Sequence, residues 1–260
     1  MVTCFTKSAQ KWGLANEKVG NFYLSSWQHG DSPMPMLVVR AIMAFIASLP
    51  FVGSIVADPT HHWLTYLTHW GITLVFCMTI SALSVSVVAT RRKLPDDCDG
   101  NLPWYVSLYW LMYNVALTAA MSITFLYWNF LYVPKNDGNV NMFLLDLATH
   151  CFNACIVFTE FIACRTPLRL HHIYQPMTAA FCYASFTGIY YAAGGVDRFG
   201  EPFIYKTLDW RHPAETLPKV AGSLTVPCIF FMLMCGLTRL RDKISITLRP
   251  KSLRVNAFVI

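Results

Sequence analysis

Six apolar stretches, each long enough to cross a bilayer, govern what this 260-residue chain can fold into. They lie near 36–57, 63–89, 104–131, 142–164, 175–194 and 217–238. The hydrocarbon core is ~30 Å thick, so a spanning helix needs ~20 mostly apolar residues. Lipid offers backbone groups no hydrogen-bond partner, so each span must be helical. The predicted fold is all-α, a polytopic bundle of six transmembrane helices. A composition of 55% hydrophobic and 13% charged residues leaves no stretch for a separate soluble domain. The expected organisation is a cytosolic tail over 1–35, the bundle over 36–239 and a basic cytosolic tail over 240–260.

The basic residues orient the bundle. Lys7, Lys11 and Lys18 precede the first span; Arg91, Arg92 and Lys93 follow the second. Arg165 and Arg169 follow the fourth, and Arg239, Arg241, Lys243, Arg249, Lys251 and Arg254 follow the sixth. The opposite loops hold Lys135, Arg198, Lys206 and Arg211, with Lys219 at a helix start. Lys and Arg accumulate on the cytoplasmic side, so both termini are expected in the cytosol. Arg40, near the cytoplasmic end of the first span, is expected to snorkel. The net charge of +6 then reflects topology, and no nucleic-acid partner is implied. The basic C-tail would also suit anionic lipid. The first 35 residues lack an apolar core, so no cleavable signal peptide is expected.

Most cysteines fall in spans, and none falls in a predicted exoplasmic loop, so no disulfide framework is expected. Cys151 and Cys155, one turn apart, read as small packing residues. No cofactor is expected, and His61-His62 and His171-His172 lie at opposite faces, so they cannot share one metal. The 195–216 loop carries paired glycines and several aromatics. Those aromatics would form an interfacial belt or cap a cavity between the helices.

Ionisable residues inside spans are expensive, so each is a functional candidate. The fourth span concentrates Asp146, His150, Asn153 and Glu160 at spacings of four, three and seven. Such spacings place all four on one helical face, which must turn into the bundle. A seam of this kind also arises simply to glue helices and fix their register. Thr68 lies ~8 Å and His150 ~12 Å from the same membrane face at 1.5 Å per residue. Hydroxyl, imidazole and the nearby Asp146 carboxylate have the logic of covalent acyl transfer: nucleophile, base and orienting acid. Thr68 bonding its own helix backbone is the plainer alternative. His69, Asn114, Asn153 and Glu160 are the expected lining of the polar cleft.

Three motifs carry a resemblance: Tyr66-Leu67-Thr68-His69-Trp70-Gly71, Asp146 with Thr149-His150-x-x-Asn153 and Glu160, and Gly194-Gly195-x-Asp197 through Ile204-Tyr205-x-x-Leu208-Asp209-Trp210. Together they resemble the rolling stone family of multipass membrane proteins. That resemblance implies a role in cell contact, myoblast-type fusion and differentiation, and suggests the plasma membrane, with the endoplasmic reticulum as alternative. The family is in turn similar to androgen-induced membrane hydrolases that cleave fatty-acid esters of hydroxy fatty acids with an intramembrane threonine and histidine. Leu67-Thr68 matches their threonine. Their histidine region reads Asn-His-x-x-His, with the second histidine catalytic, and Asn153 stands in that place here. An amide cannot act as a general base.

Two functions are therefore expected to compete. One is a non-catalytic protein of cell contact or membrane fusion, holding membrane lipid in the polar cleft or working with a membrane-protein partner. The other is a lipid-ester hydrolase in which Thr68 attacks, His150 takes the proton, Asp146 orients it and Asn153 donates to the oxyanion. A transporter is a weaker third, since no inverted repeat or pair of broken helices stands out.

Overall fold

The computed structural model describes residues 18–92, 94, 102–132 and 140–248, the side chains of 140–146 and 148 excepted. Among the described residues the fold is helical and contains no strand; an isolated bridge joins Ser25 to Cys164. The long helices are α1 (Met34–Ala57), α2 (Leu67–Arg91), α3 (Trp104–Leu126), α4 (Val140–Ala163), α5 (Tyr174–Ala192) and α6 (Pro213–Leu248). They fall on the six predicted stretches. Four of them, α1, α2, α3 with its following turn, and α6, are long and apolar enough to cross a membrane by length and composition.

Apolar side chains face outward as well as inward. Along α1, Val38, Ile42, Phe45, Leu49, Val52 and Val56 are exposed, while Met36, Met43, Ala44 and Ala47 are buried. An exposed apolar stripe of this size would be costly in water and is ordinary against lipid. The centre of the bundle is α3, which packs against α2, α4, α5 and α6. Tyr109, Trp110, Tyr113, Ala116 and Leu117 of α3 are fully buried, beside Val75, Met78 and Val85 of α2. Gly71 permits the close approach of α2 and α3: a Cβ there would stand 2.6 Å from Ile123 Cδ1.

Helix ends follow local chemistry. Pro occupies the first turn of α1, where its missing N–H costs no hydrogen bond. The chain leaves α3 through a π-helical turn, Tyr127–Leu131, closed by the Tyr132 N–H donating to the Tyr127 carbonyl at 2.8 Å. Such wide turns re-aim side chains and are frequent at functional sites.

The end of the bundle that carries Arg40 holds contacts that the sequence does not show. The segment preceding α1 is packed: Val19 and Phe22 are buried in the core. Ser26 donates from its N–H to Ala163 O at 3.0 Å and from its hydroxyl to Cys164 O at 2.6 Å. The last helix continues to Leu248, into the stretch expected as tail, because Arg241 finds acceptors there. Its Nη1 donates to Phe161 O at 2.8 Å and its Nη2 to Thr166 O at 3.2 Å. Arg40, expected to snorkel, is 1% exposed and turned into the bundle. The basic residues Lys7, Lys11, Lys93, Arg249, Lys251 and Arg254 lie outside the described residues.

Candidate functional site

The α4 seam is buried where its side chains are described. His150, Asn153 and Glu160 are all nearly inaccessible. The side chain of Asp146 lies outside the described residues. Glu160 Oε1 accepts from Arg40 Nη2 at 2.6 Å, Arg40 Nε at 3.0 Å and the Tyr109 hydroxyl at 2.6 Å. Arg40 Nη1 also donates to Phe22 O and Ser86 Oγ, each at 2.8 Å. A buried charge needs an opposite charge and hydrogen bonds for its remaining atoms, and this cluster supplies both to Arg40. Glu160 Oε2 has no partner among the described residues.

Higher in the seam, the Asn153 amide donates to Thr149 O of its own helix at 2.7 Å. The His150 ring stacks on Tyr127, the first residue of the π-helical turn, with centroids 3.4 Å apart. The His150 backbone carbonyl accepts from Thr124, and the buried His150 Nδ1 has no partner among the described residues.

Thr68 sits in the first turn of α2, half-buried, at the end of the bundle covered by the 195–212 loop. The Leu67 N–H, unpaired within its helix, donates to the Tyr205 hydroxyl at 2.9 Å. Burial pushes the Tyr205 phenol up to about 12, against the Leu67 N–H that its oxygen accepts and the neighbouring Tyr183 and Thr68 hydroxyls. Thr68 thus stands against Tyr205. Among the described residues no hydrogen bond joins Thr68 to His150. His69 places Nδ1 2.6 Å from Trp63 O, with its ring stacked on Trp63 at 4.8 Å. Asn114 belongs to a different contact: its Nδ2 donates to Gln175 Oε1 of α5 at 2.8 Å and lies 3.3 Å from His172 Nδ1.

The structure therefore groups His150, Asn153 and Glu160 on one buried face, places Thr68 and His69 under the loop, and sets Asn114 apart. Sequence reasoning missed Arg40 and Tyr109 as partners of the seam, and Tyr127 against His150. The pairings span 120 and 51 positions for Arg40 and Tyr109 with Glu160, which no local spacing shows. Tyr205 was visible as part of a motif, though its contact with the start of α2 was not.

The loop itself closes over the helix ends. Gly194 adopts φ of 77°, a conformation open to glycine at little cost. The Asp197 carboxylate then accepts the N–H groups of Phe199 and Glu201, each at 2.8 Å. Arg198 pairs with Asp58 at the end of α1 and lies over the Tyr66 ring at 5.7 Å. Burial pushes the Asp58 carboxyl up, but the Thr60 hydroxyl and the Arg198 guanidinium outweigh it and hold it below its ordinary value. Trp210 Nε1 donates to Thr187 Oγ1 at 3.1 Å. Of the two roles open to these aromatics, Tyr205 lines a cavity between the helices, Trp210 packs on α5, and Phe199 points outward.

On the other side of the α2–α3 pair lies a cavity of 680 Å³ between α2, α3, α5 and α6. Leu67, Gly71, Ile123, Ala179, Val220 and Pro227 typify its apolar wall. None of Thr68, His69, Asn114, His150, Asn153 and Glu160 lines it. Among the described residues no three His, Cys, Asp or Glu side chains converge as metal ligands.

Comparison with known proteins places these features in context. The family model described as protein rolling stone matches residues 1–251. The chain is similar to protein rolling stone of Drosophila melanogaster, with 29% identity over 247 residues that cover 91% of this chain and 90% of the fly protein. No solved structure matches it.

Proposed function

The chain belongs to the rolling stone family, and on that premise we propose that it is a six-span, non-catalytic protein of cell contact and membrane fusion. Both termini lie in the cytosol in this reading, with the Arg40 end of the bundle on the cytosolic side and the 195–212 loop outside. The plasma membrane is its place of action. The loop is too short for an adhesive domain of its own, so contact works through lipid or through a membrane-protein partner.

The observation that carries the non-catalytic reading is the occupation of the seam. Asn153 stands where the similar hydrolases carry their catalytic histidine, and its amide is engaged with Thr149 O. Thr68 lies against Tyr205, and among the described residues no hydrogen bond joins it to an imidazole. A threonine without an adjacent base is a weak nucleophile. Glu160 is engaged with Arg40 and Tyr109, which suits a device that fixes helix register.

One observation favours the hydrolase as a second reading. Among the described residues the buried His150 Nδ1 has no hydrogen-bond partner, which leaves the imidazole available to the Asp146–His150 pair that the hydrolase reading requires. The two readings separate in one assay. Purified protein is incubated with fatty-acid esters of hydroxy fatty acids beside Thr68→Ala and His150→Ala, and fatty-acid release is followed by mass spectrometry. The expected result is release at the level of the Thr68→Ala background. Release that disappears in both variants would establish the hydrolase instead. In parallel, cells expressing the protein are expected to mix contents with unlabelled neighbours more often than mock-transfected cells.

A further inference from the structure

We propose that the 680 Å³ cavity houses one acyl chain of an anionic lipid whose head group is held by Lys219. This deepens the reading above and rests on it only in taking the chain as embedded in a bilayer. The volume falls within the ~300–1,000 Å³ of small-molecule pockets.

The cavity has the dimensions of one leaflet. Its wall along α3 runs from Ala119 to the close of the π-helical turn at Leu131. That is ~18 Å at 1.5 Å per residue, a little over half of a ~30 Å hydrocarbon core. Its wall along α6 starts at Lys219 and ends at Pro227, near the helix end that follows the capping loop. An acyl chain entering from that face of the bilayer fills such a space.

The polar groups are few and placed for a head group. Lys219 is the charged residue of the lining, is exposed, and makes no ion pair among the described residues. An ammonium at the mouth of an apolar cavity, on a stem that reaches the interface, selects a negatively charged head. Deeper in the lining, Ser122 is 5% exposed and its hydroxyl has no partner. The wall also carries Gly222, where an added Cβ would meet nothing within 4 Å. Space is therefore left open beside a helix position that any larger residue would occupy.

The test uses the full chain purified in detergent and incubated with dioleoyl phosphatidic acid, oleic acid or dioleoyl phosphatidylcholine. Retained lipid is read by native mass spectrometry. The expected result is one anionic lipid per chain and little phosphatidylcholine. Retention of phosphatidic acid alone assigns a phospholipid; retention of oleic acid alone assigns a free fatty acid; either supports the site. Gly222→Leu fills the cavity and is expected to weaken retention about tenfold. Leu is a better helix former than Gly, so this variant should unfold no earlier than wild type. Lys219→Gln, an exposed change that leaves folding intact, is expected to erase the preference for anionic over zwitterionic lipid. Equal retention of all three lipids by wild type, or wild-type retention by both variants, overturns the proposal. Loss of cell mixing with lipid still retained would instead count against the contact role alone.

Discussion

The Arg40 guanidinium and the Glu160 carboxylate, 2.6 Å apart and each 1% exposed, join α1 to α4 at a point sealed from water and lipid. Neither charge has an alternative solvent. The Tyr109 hydroxyl, from α3, completes the junction, so three helices depend on one pair of opposite charges.

Removing one partner should therefore cost far more than removing both. Glu160→Gln leaves the buried guanidinium uncompensated and is expected to lower stability by ~3–5 kcal/mol. The double change Arg40→Met with Glu160→Met should recover a large part of that loss. Thermal unfolding in detergent of wild type, both single variants and the double variant measures the coupling. A Glu160→Gln protein that melts with wild type would remove the pair from any role in holding the bundle.

Acid should loosen the capping loop. The Asp58 carboxyl is held below its ordinary value by Thr60 and Arg198 against the effect of burial. A carboxylate shifted down contributes stability above its unfolded value, ~3.9. That contribution is lost as pH falls through the lower folded value. Arg198 is 44% exposed, so the effect is at most ~1 kcal/mol. Unfolding temperature followed from pH 6 to pH 3 should fall more steeply in wild type than in Asp58→Asn, and superimposable profiles would count against the pair.

The paired glycines after α5 should respond differently to alanine. Gly194 has φ of 77°, where a Cβ costs ~1–2 kcal/mol. At Gly195 the added Cβ would fall 2.5 Å from the Tyr190 ring, whose hydroxyl donates to Val196 O at 2.8 Å. Gly195→Ala must therefore displace an anchored ring, and we expect it to be the more damaging of the two. Unfolding temperatures of the two variants test the order, and the reverse order would disprove the steric account.

Tyr205→Phe should free the start of α2. The hydroxyl accepts the Leu67 N–H, one of the donors a helix cannot satisfy internally. Its removal leaves a buried donor unpaired, at ~1–3 kcal/mol. Hydrogen exchange at the Leu67 amide is expected to accelerate in the variant, while exchange at the centre of α3 stays unchanged. Unaltered exchange at Leu67 would show that the amide has another partner.

The positions of the helices were legible because bilayer thickness sets a length that apolar runs either meet or miss. The buried seam on α4 was legible for a similar reason: Glu160 cannot face lipid alone. Its partner was not. Arg40 lies close to the start of α1, where a long cationic side chain ordinarily reaches the interface, and only the folded chain reveals that it turns inward. The large cavity was equally out of reach, because it is a space between four helices. A sequence contains Gly222 and Ser122 but not the gap between them. Asn153 shows the opposite case. An amide is excluded as a base by its chemistry alone, and the bond to Thr149 O accounts for where that amide went.

The serine pair at the Arg40 end has a consequence for biosynthesis. Ser26 is held by Cys164 at the end of α4, and its carbonyl accepts the hydroxyl of Ser245 near the end of α6. The segment made first is thus fastened by the segments made later. Until α6 has entered the membrane, the stretch before α1 lacks its final restraint, so that end of the bundle can close only after the last helix is made.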